Sequence, residues 1–175
     1  MQDIIVKAQH IALVVFDVDG VLTDGGLILG EDGAEFKVFH VRDGQGLVML
    51  RDSGCQVAVI TARNSKIVKE RMNSLGIEHV YQGQDDKGRA LTGLMMKLGC
   101  DSRQTAYVGD DLLDLPAMKH AGLAIAVADA HPVVRGQAHW ITTARGGHGA
   151  AREVCEFIME AQGTLQAAVR KYLDA

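Results

Sequence analysis

The chain has 175 residues, of which 47% are hydrophobic and 23% are charged, and its formal net charge is −4. This length predicts about one domain with a sizeable core, and the composition excludes an intrinsically disordered chain. The 18 Lys and Arg residues are scattered along the sequence, which argues against nucleic acid as a partner. We therefore expect residues 1–175 to form a single domain, whose ligand could still be a small anion.

The N-terminal region and the cysteines limit the cellular setting. The longest apolar run near the N-terminus, residues 11–16, is too short for a signal sequence or a membrane span. Cys55, Cys100 and Cys155 are odd in number and far apart, with no CxxC or Cys/His spacing, so we expect neither a disulfide framework nor a zinc site. A cytoplasmic protein without a membrane partner is the expectation.

Short apolar runs alternate with segments of helical periodicity along the chain. In chain order we predict a strand at 11–16, a helix at 47–51, a strand at 57–60, helices at 66–75 and 88–98, a strand at 105–108, a helix at 112–120, and strands at 123–127 and 139–141. Gly54, Gly76, Gly99 and Gly122 follow the predicted helix ends, where glycine is a common stop signal. This alternation predicts an α/β fold with a doubly wound parallel sheet and right-handed crossovers.

Two stretches interrupt this alternation. Residues 25–41 have the pattern of two short strands joined by a turn at 31–33, so we predict a β-hairpin directly after the first strand. Residues 146–149 form a glycine-rich loop that leads into a C-terminal helix, within a tail at 146–175. The hairpin should lie at the carboxyl end of the first strand, where ligands bind in open α/β sheets.

Polar residues cluster in sequence just after the predicted strands. Asp17 and Asp19 follow the first strand, Thr61 and Arg63 the second, and Asp110, Asp111 and Asp114 the third, while Lys87 lies at the start of the intervening helix. Converging carboxylates repel one another unless a cation lies among them, and oxygen ligands without His or Cys favour Mg²⁺. With the ion on Asp17 and Asp110, Lys87, the Thr61 hydroxyl and backbone N–H groups can hold phosphate oxygens. This pattern predicts a phosphoryl-transfer site.

The order of these motifs resembles that of a known superfamily. DxDGxxTDG at 17–25, a Thr after the second strand, a Lys, and GDDxxD at 109–114 are similar to the haloacid dehalogenase superfamily of phosphotransferases. The resemblance implies that Asp17 is the nucleophile, which forms an aspartyl-phosphate, and that Asp19 is the general acid and base. It also implies catalytic roles for Thr61 and Lys87 and metal ligation by Asp17, Asp19 and Asp110.

Several of these residues have structural alternatives that the sequence leaves open. Asp-Gly pairs are common in turns, and Thr61 could merely cap the following helix. Asp111 could be an outer partner of the metal ligands, and Asp114 could anchor a helix or a loop. Arg71, on the helix after the second strand, could be a solvated surface residue.

The chain has no room for a separate domain that would cover the site. The segment TDGGLILGEDGAEFKVFHVRDGQG and the tail RGGHGAAREVCEFI resemble the 3-deoxy-D-manno-octulosonate 8-phosphate phosphatase family, and the resemblance is nearly full length. It implies a Mg²⁺-dependent phosphomonoester hydrolase of lipopolysaccharide biosynthesis, assembled as a homotetramer through its hairpins. It also implies substrate contacts at Asp19, His40, Val41, Arg42, Asp43, Gly44, Arg63, Arg71 and Lys87.

The side-chain chemistry agrees with a substrate that has a phosphate and a carboxylate. A guanidinium group matches a carboxylate in two hydrogen bonds, so Arg42, Arg63 and Arg71 are candidates for the substrate carboxylate and hydroxyls. Two alternatives stay open. One is a phosphatase for a nine-carbon sialic-type sugar phosphate, against which Arg63 argues, and the other is an assembly module of the same fold without catalysis.

Two further expectations concern the cover of the site. The hairpin carries Leu27, Leu29, Phe36 and Val38, which is more apolar surface than an exposed flap of a monomer should show, so we expect its burial between protomers. Because a glycine-rich loop precedes them, residues 150–175 could move over the active site of the same or a neighbouring subunit.

Overall fold

The strands form where the sequence concentrates β-branched and other apolar residues. A computed structural model describes residues 2–174 and contains eight strands within that range. In chain order they are β1 (Leu13–Phe16), β2 (Ile28–Leu29), β3 (Glu35–Phe36), β4 (Gln56–Ile60), β5 (His79–Tyr81), β6 (Thr105–Gly109), β7 (Leu123–Ala126) and β8 (Trp140–Ile141).

Eight α-helices lie in the same range of residues. In chain order they are α1 (Gln2–Gln9), α2 (Val41–Asp52), α3 (Lys66–Ser74), α4 (Lys87–Leu98), α5 (Leu115–His120), α6 (Pro132–Gln137), α7 (Ala150–Ala161) and α8 (Leu165–Leu173). Across residues 2–174, no helix combines the length and the apolar character that crossing a membrane requires.

Six of the strands form one parallel sheet, in the order β5-β4-β1-β6-β7-β8. β1 lies inside this sheet, between β4 and β6, and all of its residues are buried. The chain adds β4 and β5 on one side of β1 and then β6, β7 and β8 on the other side. Right-handed crossovers therefore place α2 and α3 on one face and α4 and α5 on the opposite face. The predicted doubly wound α/β fold is confirmed, and its topological switch point lies at the carboxyl end of β1.

The hairpin after β1 is also confirmed. β2 and β3 are antiparallel, with Ile28 opposite Phe36, and the backbone N–H of Gly30 donates a hydrogen bond of 2.7 Å to the carbonyl of Ala34 across the turn. The hairpin is a separate two-stranded sheet. It follows the carboxyl end of β1, where the sequence placed it.

The structure adds elements that the sequence patterns did not predict. These are β5, α1 and α6, which are short and so show little periodicity. β1 begins at Leu13 rather than at residue 11. α2 begins at Val41 rather than at residue 47, because Gly44 and Gly46 obscure the helical pattern of its first turns.

Helix ends were predicted well where glycine adopts a left-handed conformation. Gly54, Gly76 and Gly99 have positive φ angles just beyond α2, α3 and α4. Gly122 does not have this role, since α5 ends at His120 and an extended residue follows. The predicted helix at 112–120 starts as a 3₁₀ turn, and the predicted single C-terminal helix is two helices, α7 and α8, which a turn separates.

The glycine-rich loop at 146–149 is packed tightly against the loop that follows β1. A Cβ at Gly146 would overlap the carbonyl oxygen of Gly20, and the N–H of Gly147 donates a hydrogen bond of 2.9 Å to the carbonyl of Val21. α7, which starts directly after this loop, buries one face in the core and packs against α2. The expected movement of residues 150–175 is therefore wrong for α7, because moving it would expose core side chains.

Gly146→Ala should destabilise the fold by about 1–3 kcal/mol, because the new Cβ would meet main-chain atoms that have no flexible end to move away. Gly93→Ala is a matched control. Gly93 lies within α4 with open space around it, so alanine there should stabilise the protein by roughly 0.5–1 kcal/mol. Urea unfolding of both variants gives the two free energies. A Gly146→Ala protein as stable as the wild type would show that the two loops separate without cost.

Candidate active site

Parallel pairing brings the ends of three strands to one level. Phe16, the last residue of β1, pairs with Val59 of β4 and Val108 of β6. Asp17 follows β1 directly, and the residues just beyond the ends of β4 and β6 are Thr61 and Asp110. Polar side chains from three strands therefore meet at the switch point, as the sequence predicted.

Three carboxyl groups lie together at this point, and we call Asp17, Asp110 and Asp114 the carboxylate cluster. Oxygen atoms from the three side chains lie within 4.8 Å of one another. Lys87, the first residue of α4, is buried beside them: its Nζ is 2.8 Å from Oδ1 of Asp17 and 2.7 Å from Oδ1 of Asp114. One ammonium group thus faces three carboxyl groups, which leaves an excess of negative charge in a largely buried place.

Asp114 uses both of its oxygens in hydrogen bonds within the protein. Oδ1 accepts from Nζ of Lys87 at 2.7 Å and from the hydroxyl of Tyr107 at 2.8 Å. Oδ2 accepts from the backbone N–H groups of Asp110 at 2.9 Å and Asp111 at 3.1 Å. This saturation fits the anchoring alternative for Asp114, while the side chain of Asp111 is exposed.

Asp17 and Asp110, in contrast, are not saturated with hydrogen bonds. Oδ1 of Asp110 is buried without a hydrogen-bond partner, and Oδ1 of Asp17 has the ammonium of Lys87 beside it at 2.8 Å. The loop after β1 passes close to Asp110, since a Cβ at Gly20 would overlap its carboxylate. Carboxylate oxygens are the ligands that Mg²⁺ prefers, so the residues fit the predicted metal.

Burial and the neighbouring carboxylates raise the pKa values of two members of the carboxylate cluster, Asp17 and Asp110. Burial, together with the charge of Asp114, raises the pKa of Asp17 to about 7 although Lys87 opposes the shift. Burial and the charges of Asp114 and Asp17 raise the pKa of Asp110 to about 8. For Lys87, burial lowers the pKa, but the charges of Asp17 and Asp114 outweigh burial and hold the pKa above its usual value. A divalent ion among these carboxylates would favour their charged forms.

The side chain of Asp19 points to a different set of charges. It forms an ion pair with Lys37 of the hairpin, and its Oδ2 lies 3.8 Å from Nε of Arg63. Oε1 of Glu35 is 3.3 Å from Nζ of Lys37 and 3.3 Å from Nη2 of Arg63. We call Asp19, Glu35, Lys37 and Arg63 the hairpin charge group. The carboxylate of Asp19 is therefore not in the carboxylate cluster. Metal ligation by Asp19 stays a prediction, which the main chain of this residue would have to fulfil.

The remaining predicted substrate residues lie at the start of α2. His40 directly precedes the helix, and Val41 and Arg42 are exposed on its first turn. The guanidinium of Arg71, on α3, packs over Gly44, where a Cβ would overlap it. His40, Gly44 and Arg71 together line a narrow crevice, so Arg71 is not merely a solvated surface residue.

Asp43, another predicted substrate residue, has a structural partner. Its buried carboxylate accepts hydrogen bonds from the backbone N–H groups of Gly149 at 3.1 Å and Arg152 at 2.8 Å, so it caps α7 from the neighbouring helix. Gly149, at the N-terminal end of α7, has no side chain with which to cap it. Any contact between Asp43 and a substrate stays a prediction for its main chain.

Thr61 is buried just beyond β4 and does not cap the following helix. Its hydroxyl oxygen accepts a hydrogen bond of 3.4 Å from the N–H of Arg63, and the residue that precedes α3 is Ser65. The hydroxyl hydrogen of Thr61 can therefore be donated to a phosphate oxygen, as predicted.

Sequence reasoning missed three residues of the site. Lys37 reaches Asp19 from the hairpin, Glu35 pairs with Lys37, and the hydroxyl of Tyr107 on β6 donates a hydrogen bond to Asp114. The sequence Glu35-Phe36-Lys37-Val38 alternates charged and apolar residues, and this alternation could have indicated an inward charged face. Tyr107 has no such signal, because it lies in an otherwise apolar strand.

Comparisons with known proteins agree with this geometry. Residues 77–154 match the haloacid dehalogenase-like hydrolase family. The chain is 49% identical over 166 residues to the 3-deoxy-D-manno-octulosonate 8-phosphate phosphatase of Yersinia pestis, and the match covers 95% of this chain and 89% of the relative. It is 48% identical to the same enzyme of Escherichia coli K12, over 95% of this chain and 88% of the relative.

A solved structure is similar over almost the whole fold. The 3-deoxy-D-manno-octulosonate 8-phosphate phosphatase of Moraxella catarrhalis, in complex with a magnesium ion, a phosphate ion and the sugar acid, has a TM-score of 0.96 and 47% sequence identity. The alignment covers 98% of this chain and 99% of that chain.

The raised pKa values predict how the stability of the metal-free protein depends on pH. Between about pH 4 and pH 8 the folded chain binds more protons at Asp17 and Asp110 than the unfolded chain does, so the free energy of unfolding should decrease as pH rises through this window. The stabilisation by Mg²⁺ should increase over the same window. Asp17→Asn removes a buried charge that the metal-free protein holds at pH 8.5, so it should raise the unfolding temperature there by a few degrees. For a protein of this size, each kcal/mol of stability shifts that temperature by roughly 2–4 °C.

Thermal unfolding at pH 6.0, 7.0 and 8.5, with EDTA or with Mg²⁺, tests this expectation. Glu78→Gln, which removes an exposed carboxylate, is the matched control and should change little. Metal-free stability that rises from pH 6.0 to pH 8.5 would contradict the electrostatic account of the cluster.

Proposed function

Because the chain belongs to the 3-deoxy-D-manno-octulosonate 8-phosphate phosphatase family of haloacid dehalogenase-like hydrolases, we propose that it hydrolyses this sugar phosphate to the free sugar acid and phosphate, as a step of lipopolysaccharide biosynthesis. The observation that carries the proposal is the pair of carboxylates of Asp17 and Asp110 beside the ammonium of Lys87, with a buried, unpartnered Oδ1 on Asp110. Such an arrangement suits a metal ion and a phosphate group together.

Asp17 is the nucleophile in this proposal. A carboxylate oxygen of Asp17 attacks phosphorus, the ester P–O bond breaks, and its electron pair goes to the leaving sugar oxygen, which takes a proton from the carboxyl of Asp19. The carboxylate of Asp19 then accepts a proton from water, whose oxygen attacks phosphorus and breaks the bond to Asp17. Asp17 is regenerated, and inorganic phosphate leaves.

The surrounding residues orient and balance these groups. Asp17 and Asp110 would hold Mg²⁺, with the main chain beside Asp19 as the remaining protein ligand. The ion supplies charge neutralisation and phosphate orientation when it is bound. Lys87 and the Thr61 hydroxyl bind phosphate oxygens, and Asp114 keeps Lys87 in place through the bond of 2.7 Å. No large side-chain movement of Lys87 is needed, because it is already buried beside the nucleophile.

Substrate recognition beyond the phosphate is assigned to cationic side chains on the same side of the sheet. Arg63 is 47% exposed and lies beside Asp19, so its guanidinium can reach the sugar acid near the scissile bond. Arg71 and His40 line the crevice at the start of α2, and the buried Nδ1 of His40 lacks a partner there. These groups match the carboxylate and hydroxyls of the proposed substrate.

Phosphate release from a panel of sugar phosphates tests the proposal. The eight-carbon sugar 8-phosphate should be the best substrate, EDTA should abolish turnover, and added Mg²⁺ should restore it. A preference for a nine-carbon sialic-type 9-phosphate would favour the alternative substrate. No release from any phosphomonoester would favour an assembly module without catalysis.

Asp17→Asn should remove turnover to below a few per cent of wild type while the fold stays intact, because it removes the nucleophile without changing the side-chain volume. Asp19→Asn should lower kcat/KM for the sugar phosphate by about 10²- to 10⁴-fold, the usual value of a positioned proton donor. Glu78→Gln is the control, since the side chain of Glu78 is exposed and lies outside the site. Substantial activity in a pure Asp17→Asn preparation would exclude the proposed nucleophile.

We also propose that the hairpin is buried between copies of the chain, in a homotetramer. The hairpin exposes the side chains of Leu27, Ile28, Leu29, Phe36 and Val38, which is much apolar surface for one short segment. A second copy of the same hairpin would present the same apolar surface, which suits an isologous contact.

Phe36→Asp should reduce the assembly, because it places a charge where apolar surfaces meet. It should also raise KM for the sugar phosphate. The activity on a small aryl phosphate should fall far less than the activity on the sugar phosphate. Light scattering coupled to size-exclusion chromatography, run beside both assays, measures these effects, and Lys66→Asp on the exposed surface of α3 is the control. A tetrameric Phe36→Asp protein, or a monomeric one with unchanged KM, would contradict this role of the hairpin.

A further inference from the structure

The strand that ends the hairpin has two chemically different faces. Phe36 and Val38 point outward and are 56% and 65% exposed. Glu35 and Lys37 alternate with them and point inward, where Lys37 pairs with Asp19 and with Glu35. A single short segment therefore joins the apolar outer surface of the hairpin to the predicted general acid.

Lys37 is the member of the hairpin charge group that has lost all contact with solvent. Its side chain has an exposed fraction of 0%, and its ammonium pairs with the carboxylates of Asp19 and Glu35. A buried ammonium is costly unless carboxylates surround it in a well-defined geometry. The position of Asp19 is thus coupled to the position of Lys37.

Arg63 holds Asp19 less firmly than Lys37 does. Its Nε is 3.8 Å from Oδ2 of Asp19, and almost half of its side chain is exposed, so water screens this pair. Arg63 is also the candidate for substrate contact, and a bound sugar acid would compete for its guanidinium. Lys37 therefore remains the main partner that fixes the carboxylate of Asp19.

We propose that Lys37 is a positioning residue for the proton transfer, an inference that rests on the proposed phosphatase function. It keeps the side chain of Asp19 out of the carboxylate cluster and on the side from which the leaving sugar oxygen departs. Glu35, whose Oε1 is 3.3 Å from Nζ of Lys37, is the second carboxylate that holds this ammonium in place. The hairpin thus supplies part of the catalytic geometry in addition to its outer surface.

Leaving groups of different quality separate this role from a purely structural one. The alkoxide of a sugar needs a proton as the ester bond breaks, whereas 4-nitrophenolate leaves with little help. Lys37→Met keeps the length of the side chain and removes its charge. We expect kcat/KM for the sugar phosphate to fall by at least tenfold and kcat/KM for 4-nitrophenyl phosphate to fall by less than threefold, with KM for the sugar phosphate changed by less than threefold.

Three further measurements sharpen the test. Lys66→Met removes an exposed lysine and should leave both substrates unaffected. Lys37→Arg restores the charge with a different shape, so it should recover part of the lost kcat/KM for the sugar phosphate relative to that for 4-nitrophenyl phosphate. Ethylammonium added to Lys37→Ala should do the same.

Several outcomes would overturn the inference. Equal losses for both leaving groups would assign Lys37 a structural role, and a rise in KM for the sugar phosphate alone would make it a substrate ligand. If Lys37→Met does not fold, Lys37→Ala decides, because equal losses of activity for both leaving groups together with no rescue by ethylammonium would refute positioning. Failure of the wild type to hydrolyse the sugar phosphate would instead refute the proposed function, and the comparison of alkyl and aryl esters would still judge Lys37.

Discussion

The fold and the site both depend on how one buried ammonium group is shared among carboxylates. Lys87 begins α4, and its ion pairs with Asp17 and Asp114 join that helix to the ends of β1 and β6. Asp114 is fully satisfied by Lys87, Tyr107 and two backbone N–H groups, whereas Oδ1 of Asp17 has only the ammonium of Lys87 beside it and Oδ1 of Asp110 has no partner. The same shortage of positive charge that burdens the metal-free protein is what makes the site suitable for a cation and then for a phosphate.

Close main-chain packing maintains this charge arrangement. The loop after β1 lies between the carboxylate of Asp110 and the loop at 146–149, and glycine is required at Gly20 and Gly146 because a Cβ on either would overlap its neighbour. Asp43 adds a second link, since its carboxylate on α2 caps the start of α7. α7 and the loop that precedes it therefore support the loop after β1, which carries Asp17 and Asp19. This packing explains why the family resemblance extends into a segment without predicted catalytic side chains.

Much of the fold was predictable because its signals are local. Buried parallel strands appear as short apolar runs, and left-handed glycines mark three helix ends, so the sheet and the position of Asp17, Thr61, Lys87 and Asp110 followed from the sequence. The side-chain partners did not follow, since they depend on tertiary contacts. Only the motif resemblance separates Asp110, with its unpartnered oxygen, from Asp114, with four donors, and nothing in the sequence indicates that the carboxylate of Asp43 would face a helix terminus.

In the proposed function, the hairpin contributes to the active site through Lys37, which pairs with Asp19. Its inner charges would remain buried only while the strand stays against Asp19, and two short strands of two residues each supply little stability of their own. Burial of the outer face, with Phe36 and Val38, would add the stability that the hairpin lacks. The same segment then serves both assembly and the placement of Asp19. A displacement of Phe36 and Val38 would also displace Lys37, because these residues alternate along one short stretch of chain.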